Sequence, residues 1–262
     1  MSEHVNRDDD IAGEARMNRE RERELARTFV DLADTYAPDF DPLRLFDRLV
    51  RACRSLLDID AAAVMIADAR GVLKTMAATE DEAVFIELMQ MQTGRGPCMH
   101  CYRTGESVSV RDIRTEADRW PALAGAMAEA GYRSLHAVPV RLHERGLGAL
   151  TLLNARPGDL SGGDLNLAQS LADSAALGLM HWSAEPRGDD VVTRVQSAMA
   201  VKTVLEIATG MISAYHRVPM NTAGRLLAGY ADRRRVSLSA TARALVDQDM
   251  QPADVLEGTA GS

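Results

Sequence analysis

Apolar residues recur along this chain at two different periods, and the switching between them divides it into elements. From Arg19 to Tyr36, Leu25, Phe29 and Leu32 fall on one face of a charged helix that ends at Pro38. After a polar turn around Asp39 to Pro42, Leu45, Leu49, Cys53 and Leu56 continue a helical stripe. Ala61 to Ala67 and Val72 to Ala78 read as two strands around Asp68-Ala69-Arg70-Gly71, a hairpin signal. Asp81 to Gln92 is helical, and Thr93 to Pro97, with two glycines and a proline, is a loop entering another short helix. Ser107 to Val110 is a short strand and Trp120 to Ala130 a helix. Ser134 to Arg141 and Leu147 to Leu153 form a second apolar strand pair, and Ser161 to His181 a long helix carrying Leu165, Leu167, Ala168, Leu171, Ala175 and Leu179. This order predicts an antiparallel sheet with helices packed on it, an α+β fold.

Beyond Ser183 to Asp190, which contains Pro186 and Gly188 and reads as a linker, the pattern becomes wholly helical. Val201, Val204, Leu205, Ala208, Met211, Ile212 and Tyr215 recur at spacings of three and four. Pro219 can open a second helix, whose stripe runs through Ala223, Leu226, Leu227, Tyr230 and Ala231. The basic turn Arg233-Arg234-Arg235 leads to a third segment with Leu238, Ala242, Leu245 and Val246 on one face and Ser237 or Ser239 as N-cap. The result is a three-helix bundle whose first helix is long enough to pair with a second copy. Gly210 lies inside that helix at a cost of about 1 kcal/mol relative to alanine, which close helix packing or close approach of a nucleic acid would explain.

The expected organisation is therefore a disordered N-terminus over 1–17, a sensor domain over 18–182, a linker over 183–190, the bundle over 191–250 and a flexible tail over 251–262. A chain of 262 residues is comfortable for two domains. It has no run of about 18 apolar residues to span a membrane, no secretory leader at MSEHVNRDDDIAGE, and three cysteines, too few for a disulfide framework. A cytoplasmic location follows as the expectation. The formal charge of −8 is unevenly spread. Asp190 to Asp249 holds eight cations (Arg194, Lys202, Arg217, Arg225, Arg233, Arg234, Arg235, Arg243) against five anions, or +3, leaving about −11 for the rest. An acidic domain thus carries a mildly basic one.

Cys98-Met99-His100-Cys101 is the sharpest local cluster. A C-x-x-C pair can form a redox disulfide, and a neighbouring histidine favours a reactive thiolate. Two thiolates and an imidazole could also begin a zinc site if His136 or His143 supplied another ligand. Alternatively both cysteines are small apolar residues packed beside a pocket. Gly94-Arg95-Gly96 lacks the spacing of a phosphate-cradling loop. No arrangement suggests a hydrolase, and no catalytic or metal-binding residue is assigned. In the basic half, Arg225, Arg233, Arg234, Arg235 and Arg243 are the candidates for RNA phosphate contact, since the planar guanidinium binds phosphates and stacks on bases.

Two resemblances sharpen this reading. The run LEIATGMISAYHRVPMNTAGRLLAGYADRRRVSLSATARALVD resembles the ANTAR domain, an RNA-binding antitermination module, over roughly the last quarter of the chain. Ala208, Gly210, Ala223, Leu227, Tyr230-Ala231, Leu238 and Ala242 carry the likeness. Thr209, Gly224 and Ala228 depart from the pattern, standing where that family usually has lysine, an aromatic and often arginine. The stretches TGRGPCMHCYRTGE, RWPALAGAMAEAGYRSLHAVPVRL and GALTLLNARPGDLSGGDLNLAQSLAD resemble a GAF domain of the type that precedes ANTAR domains, over about 25 to 182. That resemblance implies a small-molecule or redox sensor with a pocket on one sheet face, of unknown ligand and cofactor. Cyclic-nucleotide binding is disfavoured, because Asn154 is followed by Ala155, Leu160 holds the expected aromatic position, and Leu165 follows Asp164 where the family's signature has glutamate. Together the resemblances imply a homodimeric regulator binding paired hairpin loops in nascent transcripts. Two alternatives stand beside it: a thiol enzyme of the methionine sulfoxide reductase type, using Cys98 and Cys101, and a dimeric sensor whose ANTAR module no longer binds RNA.

Overall fold

The computed structural model describes residues 19–34, 41–79, 96–181 and 191–256. The expected disordered N-terminus, the helix Asp81 to Gln92 and the linker 183–190 lie outside these residues. A charged helix, α1, covers residues 19–33. Helix α2 (Pro42–Leu56) starts where Asp41 accepts a hydrogen bond from the Leu43 N–H, with proline in the first turn, where its missing donor costs nothing. It buries Leu45, Phe46, Leu49, Val50, Cys53 and Leu56. At about 1.5–3 kcal/mol for each large apolar side chain, that face anchors the helix to the sheet.

The sheet holds β1 (Ala61–Ala67), β2 (Leu73–Ala78), β3 (Val108–Val110), β4 (Ser134–Leu142) and β5 (Arg145–Asn154). They are all antiparallel in the order β2-β1-β5-β4-β3. Between the strands come α3 (Pro97–Thr104) and α4 (Pro121–Glu129), and after them α5 (Gly162–His181). Because strand side chains alternate, the central strands feed two cores at once. Ala62, Val64, Ile66, Val138, Val140, Leu150 and Leu152 face one side, with α2 and with Ala168, Leu171, Ala172, Ala175 and Leu179 of α5. Ala61, Ala63, Met65, Leu135, Ala137, Ala149 and Leu153 face the other, with α3 and α4. Gly148 lets β1 and β5 approach closely: a Cβ there would lie 1.9 Å from the Met65 carbonyl oxygen.

The remaining helices are α6 (Val191–His216), α7 (Met220–Arg234) and α8 (Leu238–Val246). Ala208, Ile212, Ala223, Leu227, Ala242 and Leu245 form their shared core. Of the two serines considered for the cap, Ser237 holds the position, accepting from the Ala240 N–H at 3.1 Å. Helix α6 serves both lobes: Val195, Ala198 and Val201 pack into the sensor core, while Ala208 and Ile212 lie in the bundle core. The end of the chain departs from the expectation of a flexible tail beginning at 251. Pro252–Val255 form a 3-10 turn and Val255 is fully buried in the bundle core, which gives those residues an apolar anchor. Residues 257–262 lie outside the described residues.

Candidate functional site

The α3 side of the sheet has a floor of small residues. Across it, Thr151 of β5 pairs with Ala63 of β1 and with Ala137 of β4, so a hydroxyl sits between two alanines. Above it, α3 starts at Gly96 and Pro97 and ends at Gly105, whose φ of 71° suits a residue without a Cβ. Cys98 and Cys101, three apart on one helix face, both point into this core and are buried. Cys98 Sγ lies 3.0 Å from Thr151 Oγ1, a polar contact beside the apolar residues of this core. Burial, then the neighbouring Cys98, push the Cys101 thiol up to about 12, against a smaller opposite pull from Arg141. At neutral pH Cys101 is therefore a thiol, the form that neither attacks nor binds metal. Cys53 lies in the other core, also pushed up to about 12 by burial.

His100 does not join the two cysteines. It lies on the outer side of α3 and is exposed, because the face that buries positions 98 and 101 turns position 100 outward. His136 does not join them either. It pairs with Ser109 of β3 and Leu152 of β5, so strand alternation puts it on the opposite side of the sheet from Thr151. His143 sits in the β4–β5 turn with φ 55°. The zinc constellation considered from the sequence is thus dispersed, and among the described residues no three His, Cys, Asp or Glu side chains converge to hold an ion.

His136 is nonetheless unusual. Its Nδ1 lies 3.0 Å from Ser109 Oγ, whereas its buried Nε2 has no hydrogen-bond partner among the described residues. Burial draws its pKa below the ordinary imidazole value, while Asp159 and the Gly158 backbone pull weakly the other way.

The segment from residue 41 to residue 180 matches the family model of the GAF domain. The chain belongs to the GAF-domain family. The five-stranded sheet with its two layers of helices is this family's domain, and the chain carries a GAF sensor. Solved structures similar to it include the GAF domain from an Acinetobacter phosphoenolpyruvate-protein phosphotransferase, 17% identical, covering 68% of this chain and 94% of that one with a TM-score of 0.48. Another is a domain of a two-component sensor histidine kinase protein from Sinorhizobium meliloti, 16% identical, covering 61% of this chain and 95% of that one with a TM-score of 0.45. The cyanobacteriochrome TePixJ GAF domain is 22% identical over 53% of this chain and 89% of its own, with a TM-score of 0.43. No curated protein matches the chain.

The bundle beyond the GAF domain presents its arginines outward: Arg225, Arg233, Arg234, Arg235 and Arg243 are all exposed. Some have partners within the bundle. Arg225 reaches the Thr222 hydroxyl at 3.2 Å, and Arg233 donates to the Val255 carbonyl at 3.3 Å, tying down the final turn. The Arg234 guanidinium lies 5.6 Å from the Tyr230 ring centroid, a cation–π distance. Tyr230 is half-buried against the core. Arg235 adopts the left-handed conformation at the end of α7, φ 54°, projecting from the turn. The sequence signalled this cluster through charge alone. It did not signal Thr151, because one hydroxyl within an apolar run is legible as a partner for Cys98 only once β5 and α3 are packed.

Proposed function

We propose that this protein is a signal-responsive RNA-binding regulator in which the GAF sensor controls the helical bundle. The observation that carries the reading is the set of outward-facing arginines, Arg225, Arg233, Arg234, Arg235 and Arg243, on a bundle with its own apolar core. Exposed guanidinium groups on a compact helical scaffold suit unpaired loop bases and phosphates, whereas duplex RNA hides its base edges in a narrow groove. The resemblance of residues 191–250 to the ANTAR module supplies the finer form of the proposal: a homodimer that binds paired hairpin loops in nascent transcripts and favours antitermination in the cytoplasm. No described helix is long and apolar enough to cross a membrane. The thiol-enzyme alternative has less support, since both C-x-x-C thiols are buried and Cys101 stays protonated.

The test is a gel-shift of the full-length protein on RNA bearing two adjacent hairpins, against the same RNA with scrambled loops at fixed salt. Loop-dependent binding is expected. Replacing Arg233, Arg234 and Arg235 with glutamine should weaken it about 10-fold or more and flatten its salt dependence by up to about three counterions. Equal binding by the substituted protein would move the contact elsewhere. Binding of neither RNA by a folded dimer would favour a module that only dimerises.

A further inference from the structure

The first turns of α2 and α8 lie at opposite ends of the chain, yet one carboxylate serves both. Asp41 Oδ1 accepts from the Leu43 N–H at 2.9 Å, and Asp41 Oδ2 accepts from the Ser239 N–H at 2.7 Å, across 198 residues of sequence. Asp41 is fully buried. A buried carboxylate is costly unless its oxygens are engaged. Here each oxygen meets a first-turn N–H that has no partner within its own helix, and both helices turn the positive ends of their dipoles toward it. Helix α8 already has its own cap in Ser237, so the bond to Asp41 is not what starts that helix. It joins two lobes. A second contact lies alongside: Arg44 Nη2 donates to Asp232 Oδ1 at 2.6 Å, in the last turn of α7. The two contacts bracket the end of α7 and the turn into α8, where Arg233, Arg234 and Arg235 lie.

We infer that Asp41 and Arg44 form a releasable latch through which the sensor sets the orientation of the bundle about α6. The arrangement has the parts of a switch. The first half of α6 is held in the sensor core by apolar packing, whereas the α7–α8 turn meets the rim of α2 through polar contacts. Helix α2 packs directly on β1 and β2, so a change at the sheet that moves its first turn by about 1 Å carries Asp41 out of hydrogen-bond reach of Ser239. This inference concerns how the lobes are joined and holds whether or not the bundle binds RNA.

Asp41→Asn separates the two duties of the carboxylate. Asparagine caps a helix as well as aspartate does, so one oxygen still serves Leu43, but an amide NH2 now faces the Ser239 donor. In the full-length protein, amide hydrogen exchange across residues 231–246 is expected to accelerate about 10- to 100-fold, with β4 and β5 unchanged. Arg44→Asp and Asp232→Arg singly should each give about a 2- to 5-fold acceleration there, and the double charge swap should reverse it. Acceleration confined to the Ser239 amide would overturn the latch, because the bundle would then be held by something else. Equal acceleration in β4 and β5 would overturn it too, showing one cooperative body with nothing to release.

Discussion

At the residue scale, His136 shows how burial can make one side chain a stability element. Its folded-state pKa is lowered from 6.5, chiefly by desolvation. The unfolded chain therefore takes up that proton first as the pH falls, and stability present above the unfolded pKa is lost progressively toward and through the folded one. The melting temperature of the native protein should drop more steeply between about pH 7.5 and pH 5 than that of His136→Gln, which has no proton to take up. Parallel slopes would mean that His136 already titrates alike in both states. Thr209 and Gly224, two of the three departures from the ANTAR pattern, are also informative. Thr209 is buried and bonds back to the Leu205 carbonyl at 2.7 Å, and a Cβ at Gly224 would meet its methyl at 3.9 Å. The two small residues face each other across the α6–α7 contact. Gly210, by contrast, has open space around its missing side chain among the described residues, so packing there does not explain it.

At the element scale, helix positions were legible from their stripes because each stripe is a single continuous face. The hairpin at Asp68 to Gly71 was legible as well; Asp68 Oδ1 accepts from Arg70 and Val72, tightening that turn. Which face each strand residue takes is another matter. β1 reads Ala-Ala-Ala-Val-Met-Ile-Ala and is buried throughout, so no polar position marks its two sides. Gly148 is the clearest backbone constraint. Gly148→Ala drives a methyl into the Met65 carbonyl and must part β1 from β5, at about 3 kcal/mol or more. Urea unfolding of this variant should show that loss, and a midpoint near the native one would mean that the strands can spread without penalty. A similar close approach holds α1 on α5, where a Cβ at Gly178 would lie 2.6 Å from the Leu32 carbonyl oxygen.

At the scale of the whole molecule, sensor and bundle share a helix. Val195, Ala198 and Val201 lie beyond the segment that matches the GAF model, yet they belong to the core on one face of its sheet. Ala198→Glu places an unpaired charge in that core and should destabilise the sensor lobe by about 3 kcal/mol or more. Leu227→Ala, in the bundle core, should cost about 2–5 kcal/mol locally and leave the β-sheet protected. Hydrogen exchange followed separately in β4–β5 and in α7–α8 distinguishes the two. Loss of protection in the bundle alone for Ala198→Glu would show that α6 is only loosely seated on the sensor.

Periodicity and turn chemistry in the sequence by themselves determined the α+β class, the strand and helix order of the described segments and the basic character of the bundle, because these are set by neighbours within about a dozen residues. The resemblance to the GAF family rested instead on particular stretches, among them TGRGPCMHCYRTGE and GALTLLNARPGDLSGGDLNLAQSLAD. Only the tertiary structure decided that His136 stands apart from Cys98 and Cys101, that Thr151 meets Cys98, and that Asp41 bonds to Ser239. Those pairings depend on which strands become neighbours and how helices cross them, and such contacts join residues whose separation along the chain leaves no periodic trace.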